Sequence, residues 1–195
     1  MELSEQIKSL QTLKVCRRKV RVWEPYMRKY NCDVVAEIGV CKGNNFELFV
    51  AHNPTIAIAV DSWINDGVVS RNDRGYSQNE LDVQYTNFIS KYADKPSVKV
   101  YREYSFDAVK RFPDEYFDIV YIDAEHTYGG CLRDIKDWYP KVKRGSVLVG
   151  DDYMVATLPW TKIKFGVVEA VQTFIKENNL NFFELPRHGW GIVRI

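Results

Sequence analysis

Apolar residues along this chain fall into two kinds of run that alternate. Short, nearly continuous runs rich in β-branched residues occur at 33–40 (DVVAEIGV), 55–60, 97–102, 117–122 and 146–149. A continuous apolar run of that length suits a strand covered on both faces. Between the runs lie segments whose apolar residues recur at helical intervals, at 44–52, 79–92, 105–112, 127–141 and 165–177. Strands alternating with helices predict parallel βαβ units, and right-handed crossovers bring the carboxyl ends of their strands to one edge of a sheet. The end of the chain breaks this pattern. Residues 181–185 and 189–195 are two strand-like runs joined by Pro186, Arg187 and His188. So short a connection cannot cross over, so one strand of the pair must be antiparallel.

Ahead of the first strand, Leu3, Ile7, Leu10, Leu13, Val20, Val22, Trp23 and Met27 stand at helix-like spacing, with Lys14, Arg17, Arg18, Lys19 and Arg21 packed between them. The pattern predicts a helical extension over 1–32, laid against a single domain at 33–195. The basic cluster reads first as a solvated helix face and second as a contact for an acidic substrate or partner. No aromatic residues are interleaved to suit a single-stranded nucleic acid. These helices offer a contact surface for a homo-oligomer. Residues 62–80 are polar and dotted with glycine, which predicts a loop able to act as a lid.

Composition narrows the setting. Lys and Arg total 27 against 26 Asp and Glu, so no overall field draws the chain to nucleic acid or a membrane surface. Four cysteines without a C-x-x-C pair predict reduced thiols and a cytoplasmic protein. No apolar run approaches the roughly 20 residues of a membrane span, and the N-terminus has no signal-peptide core.

The chemistry concentrates at strand ends. Asp123 and Glu125 follow one apolar run, and Asp151 and Asp152 follow the next. A crossover between those runs makes the acids neighbours. Gathered carboxylates raise one another's pKa unless a cation intervenes, which points to a divalent metal beside a substrate pocket. Gly39 and Gly43 open a strand-to-helix turn as G-x-x-x-G, which departs from G-x-G-x-x-G. Asp61 ends the second run, where doubly wound nucleotide sites keep an acid for ribose hydroxyls. Trp63, two positions on, is placed to cover an adenine face.

With AEIGVCKG, AVDSW, FDIVYIDAEHTY, GSVLVGDDY and the closing hairpin in this order, residues 33–195 resemble a class I S-adenosylmethionine-dependent methyltransferase. They are most similar to small-molecule O-methyltransferases of the macrocin and cephalosporin-hydroxylase-like group, and more distantly to catechol O-methyltransferases. The resemblance implies a Rossmann-like α/β fold, with a seven-stranded, mostly parallel sheet, a reversed last strand and helices on both faces. It implies that Glu37, Gly39 and Gly43 hold the methionine end of the cofactor, Asp61 the ribose, and Trp63 with Ser105 the adenine. Asp123 borders the cofactor and, with Asp151 and Asp152, matches positions that bind Mg²⁺ or a similar ion. Glu125, ranked slightly first, or His126 falls where some relatives keep a proton acceptor. The sequence departs from the group at Cys41 and Lys42 in the first loop, and at Asp152, where catechol enzymes use Asn. The implied reaction is metal-assisted methylation of a hydroxyl on a small molecule such as a sugar or a phenol. Strand four ends in IDAEH, without the Asn/Asp-Pro-Pro-Tyr pattern of amino-methylating enzymes, which demotes nucleobases. Two competitors are a nicotinamide-dependent dehydrogenase, disfavoured by the missing G-x-G-x-x-G and by the hairpin, and a non-catalytic cofactor-binding module.

Overall fold

The computed structural model describes residues 23–68, 71–185 and 187–195. In chain order the elements are α1 (Trp23–Tyr30), β1 (Val34–Ile38), α2 (Phe46–Ala51), β2 (Ile56–Asp61), α3 (Gln78–Lys91), β3 (Val98–Arg102), α4 (Ser105–Ala108) and β4 (Phe117–Ile122). They continue with α5 (Tyr128–Trp138), β5 (Val142–Gly150), α6 (Val167–Asn178), β6 (Phe182–Leu185) and β7 (Gly189–Val193). One seven-stranded sheet has the order β3-β2-β1-β4-β5-β7-β6. Strands β1 to β5 pair in parallel. The last strand is reversed, running antiparallel to both β5 and β6. Of the expected N-terminal helices only α1 falls among the described residues, and the basic cluster at 14–21 with the oligomer surface it suggested lies outside them.

The continuous apolar runs become strands buried on both sides. Val35, Ala57, Ala59, Tyr121 and Val149 join one core layer, under α1, α2 and α3. Their chain neighbours Ala36, Ile58, Val60, Val120 and Leu148 join the other, under α4, α5 and α6. The side-chain period of two thus serves two cores at once. Helix starts follow local chemistry. Ser77 and Glu80 form a reciprocal capping box at α3, and the Thr127 hydroxyl accepts from the Gly130 amide at α5. No helix among the described residues is long and apolar enough to cross a membrane.

The strand ends are tied level with one another. The Gly39 amide donates to Val60 O at 2.8 Å, the Asp123 amide to Ile38 O at 2.7 Å, and the Asp151 amide to Ile122 O at 3.1 Å. The residues that follow β1, β4 and β5 therefore emerge at the same height on one rim. The sequence places most of its candidate chemistry at this rim.

Candidate active site

A cavity of about 430 Å³ opens over the carboxyl ends of β1, β2 and β4, within the size range of ligand pockets. Glu37, Gly39, Asp61, Trp63, Ser105 and Asp123 all contribute to its wall, as do Glu125 and His126. Its glycine floor is obligatory at Gly39, where φ is +88° and an added Cβ would lie 2.1 Å from the Asp123 carbonyl oxygen. Gly43 is absent from the wall. There φ is +77° and a Cβ would strike the Phe88 ring at 2.6 Å, so this glycine serves the packing of α3 instead of touching the cavity.

Glu37 is 1% exposed on β1, and its Oε2 has no partner. Burial, reinforced by Asp123, holds its carboxyl well above the usual range. A buried carboxylate left half-satisfied beside a cavity fits a cationic ligand group. Asp61 is already engaged by the loops on either side, accepting from the Cys41 amide at 2.8 Å and the Trp63 amide at 2.9 Å. Burial raises its pKa against the pull of those amides. With the Val40 amide also bonding the group, acceptor capacity remains for a hydroxyl donor. A cationic end at Glu37 and a diol at Asp61, with the bare backbone of Gly39 between the strands that carry them, match a sulfonium nucleoside in chemistry and order.

Trp63 departs from expectation. Its indole is 1% exposed, lies against Tyr85 and Phe88, and donates to the Cys41 carbonyl at 3.0 Å. The ring braces the glycine loop from the core, so it is not presented as an open stacking face. Ser105 accepts from the Trp138 indole at 2.8 Å and hydrogen-bonds Asp134.

The acids at the rim divide differently from the expected set of Asp123, Asp151 and Asp152. Asp151 continues the alternation of β5 on the side of Val149, so its side chain turns into the core, 4% exposed. There it hydrogen-bonds Tyr121 and accepts from the Asp152 amide at 2.8 Å. Asp152 has left the strand geometry, with φ of +56°, and turns toward Asp123. Among the described residues, the group able to hold a metal ion is Asp123, His126 and Asp152, with candidate ligand atoms within 4.8 Å of one another. His126 thus takes the place foreseen for Asp151.

His126 is 8% exposed and stacked on Phe165. Its Nε2 lies 3.1 Å from Asp123 and 3.0 Å from Asp152, while its Nδ1 lies 2.9 Å from Asp73. Burial opposes a charge on the ring, but the hydrogen bonds to the three carboxylates outweigh it and raise the pKa well above the ordinary value. Glu125 is separated from this group by its partners: it accepts from the Thr127 hydroxyl at 2.7 Å and faces Arg133 at 3.5 Å and Arg71 at 4.0 Å.

Asp73 and Asp134 had no role in the sequence reading. Asp73 belongs to the 62–80 loop and reaches the rim at His126; the Trp160 indole also donates to the Asp73 carbonyl at 2.8 Å. Asp134 is 1% exposed, and burial pushes its carboxyl up to about 7. An unfolded Asp releases its proton near pH 4. Between those values the folded chain holds more protons, so stability falls as pH rises through the window and the penalty is complete above it. Asp134→Asn is therefore expected to raise the unfolding free energy at pH 8 by on the order of 2–4 kcal/mol, with little gain at pH 4, read from denaturant midpoints at both pH values.

A methyltransferase-domain family matches residues 36–153, more than half of the chain. No curated protein matches the sequence. Solved structures share the fold at low identity. A Staphylococcus aureus protein provisionally described as a caffeoyl-CoA O-methyltransferase superposes with a TM-score of 0.67 at 14% identity, covering 98% of this chain and 90% of that one. An O-methyltransferase from Bacillus cereus in complex with SAH gives 0.63 at 13% identity, covering 99% and 92%. The SAH-bound Podospora anserina methyltransferase PaMTH1 gives 0.60 at 15% identity, covering 98% and 87%. With the glycine floor, the level strand ends and the reversed last strand already in place, this match is decisive: the chain belongs to the methyltransferase-domain family and is an S-adenosylmethionine-dependent methyltransferase.

Proposed function

We propose that the protein methylates a hydroxyl group on a small molecule, with a divalent cation held by Asp123, His126 and Asp152. The convergence of two carboxylates and an imidazole carries this reading: Asp152 lies just outside the cavity wall and meets Asp123 and His126, which belong to it. Two neighbours with SAH bound support the donor, and O-methyltransferases recur among the similar structures.

Bound S-adenosylmethionine supplies an electrophilic methyl group on sulfur. A bound divalent cation would lower the pKa of an oxygen acceptor and fix its direction. The chain supplies orientation, which dominates an in-line displacement. Glu37 and the Gly39 backbone receive the methionine end, Asp61 takes the ribose, and Asp123 stands between that cofactor and the cation group. An imidazole among the donors suits Mn²⁺ or Zn²⁺ better than Mg²⁺, which prefers oxygen and water. The carboxylate of Asp73 on the far nitrogen of His126 completes the arrangement that orients metal-binding imidazoles. Of the two foreseen bases, Glu125 is held by Thr127 and faces Arg71 and Arg133, so its place is in the wall of the cavity.

The direct test is turnover of S-adenosylmethionine with a panel of phenols, sugars and other hydroxylated metabolites, with Mn²⁺, Zn²⁺, Mg²⁺ or chelator. Methyl transfer to oxygen that chelator removes and Mn²⁺ restores is the expected result. Undiminished turnover in chelator would remove the cation from the reaction. Asp73→Asn is expected to weaken Mn²⁺ binding and lower kcat by roughly 10- to 100-fold, with the melting temperature little changed. Calorimetric titration with Mn²⁺ and steady-state kinetics on the same preparation check both parts.

A further inference from the structure

Residues 71–76 belong to the polar loop after β2 and line the cavity through Arg71, Asn72, Asp73, Arg74 and Tyr76. They form a compact turn. The Asn72 side chain accepts from the Tyr76 amide at 3.0 Å and donates to the Tyr76 carbonyl at 2.6 Å, and the Gly75 amide donates to the Asn72 carbonyl at 2.9 Å. This turn is fastened to the loops that follow four strands. After β1, Lys42 lies over the Tyr76 ring, 5.3 Å from its centroid. After β3, Arg71 lies over the rings of Tyr104 and Phe106, at 5.3 and 5.8 Å. After β4, His126 Nδ1 meets the Asp73 carboxylate at 2.9 Å. After β5, the Trp160 indole donates to the Asp73 carbonyl at 2.8 Å. A segment tied at the ends of β1, β3, β4 and β5 crosses the rim at which the cavity opens.

We propose that residues 71–76 are a lid on the cofactor cavity and that Trp160 is its latch: S-adenosylmethionine enters, and S-adenosylhomocysteine leaves, when the bond from the indole to the Asp73 carbonyl breaks. The assignment rests on the S-adenosylmethionine reading of the cavity and deepens it. The fastenings suit a part that lifts. None of the six residues is buried, and Tyr76 is the one apolar body among them. Exposed ion pairs, cation–ring contacts and single hydrogen bonds are each weak in water. Segments held in this way open locally while the fold stays intact. Trp160 differs from the other fastenings in its setting. Its ring is 62% exposed, yet it stands on a hairpin at 156–165, where the Leu158 amide donates to the Ile163 carbonyl and the Phe165 amide to the Ala156 carbonyl, both at 2.9 Å. Phe165, at the base of that hairpin, is buried and stacks on His126. The latch therefore has a firm post seated beside the cation group. Lifting the lid also withdraws the Asp73 carboxylate from His126, so that group is complete only while the cofactor is enclosed.

The experiment measures association and dissociation rates of S-adenosylhomocysteine by surface plasmon resonance, on the wild type and on Trp160→Phe, which keeps an aromatic ring and loses the indole N–H. A latch acts on the free and the bound protein alike, so its loss raises the open fraction of both. Both rates are expected to rise together by roughly 3- to 10-fold, the worth of one hydrogen bond, with Kd within about 2-fold of wild type. The melting temperature should change little, because the ring lies mostly in water. Trp160→Ala, which removes the ring as well, is expected to show the same paired rise. Unchanged rates in both variants overturn the latch while leaving the cofactor reading standing. Faster dissociation alone, with affinity lost in proportion, also overturns it, since that is the signature of a lost contact to the ligand. Failure of the folded wild type to bind S-adenosylhomocysteine overturns the cofactor reading and the latch with it.

Discussion

Asp152→Ala is expected to lower kcat for methyl transfer by at least about 100-fold, the scale of losing a main electrostatic contact to the transition state. The affinity for S-adenosylhomocysteine should stay within a few-fold. The two effects separate because Asp152 faces His126 at 3.0 Å and takes no part in the cavity wall where Glu37 and Asp61 lie. Asp123 is less suited to the test, since it borders both groups and its loss would blur them. Asp151→Ala has another signature. Asp151 is a buried partner of Tyr121 and of the Asp152 amide, so its removal should cost stability as well as activity. A kcat for Asp152→Ala equal to wild type, at saturating Mn²⁺, would exclude the cation group from the reaction.

Gly39→Ala is expected to cost on the order of 4 kcal/mol or more of stability and to abolish cofactor binding in whatever fraction folds. Part of the loss is conformational, because φ of +88° is open to glycine and penalised for alanine. The larger part is steric. The new methyl would meet backbone, the Asp123 carbonyl at 2.1 Å, and no side-chain rotation relieves that contact. Relief would require β1 and β4 to part at the level where the Asp123 amide bonds Ile38. Gly43→Ala provides the comparison. Its methyl would meet the ring of Phe88, which can shift, so a smaller loss is expected. Urea midpoints of the two variants, with titration of S-adenosylhomocysteine, test the ranking; equal losses would refute it.

The sheet was legible in the sequence because continuous apolar runs and a closing hairpin leave few topologies. The register of acids along the rim followed from the same runs: Asp61, Asp123, Asp151 and Asp152 stand at strand ends by counting alone. What counting does not give is the direction of a side chain after the strand has ended. Alternation along β5 would have sent Asp151 inward and Asp152 outward, a signal that the clustered charges overshadowed. Asp134 also left a trace, a carboxylate at helical spacing beside Cys131, Ile135 and Trp138. Asp73 left none. It meets His126 across 53 residues, through a polar loop whose path depends on Trp160 and Arg71. Trp63 misled for a related reason. Sequence places it near the base, while the packing of α3 draws its ring beneath the loop.

The reversed strand has a further consequence. The indole nitrogen of Trp190, on β7, donates to the Asp151 carbonyl at 3.1 Å, and its ring packs against Gly150. The backbone that aims the acid pair is therefore shored up by the element farthest along the sequence. During refolding, strands β1 to β5 can assemble with their acids present and still lack this strut. Recovery of enzymatic turnover should consequently lag behind recovery of helical signal, and keep pace with the docking of the terminal hairpin.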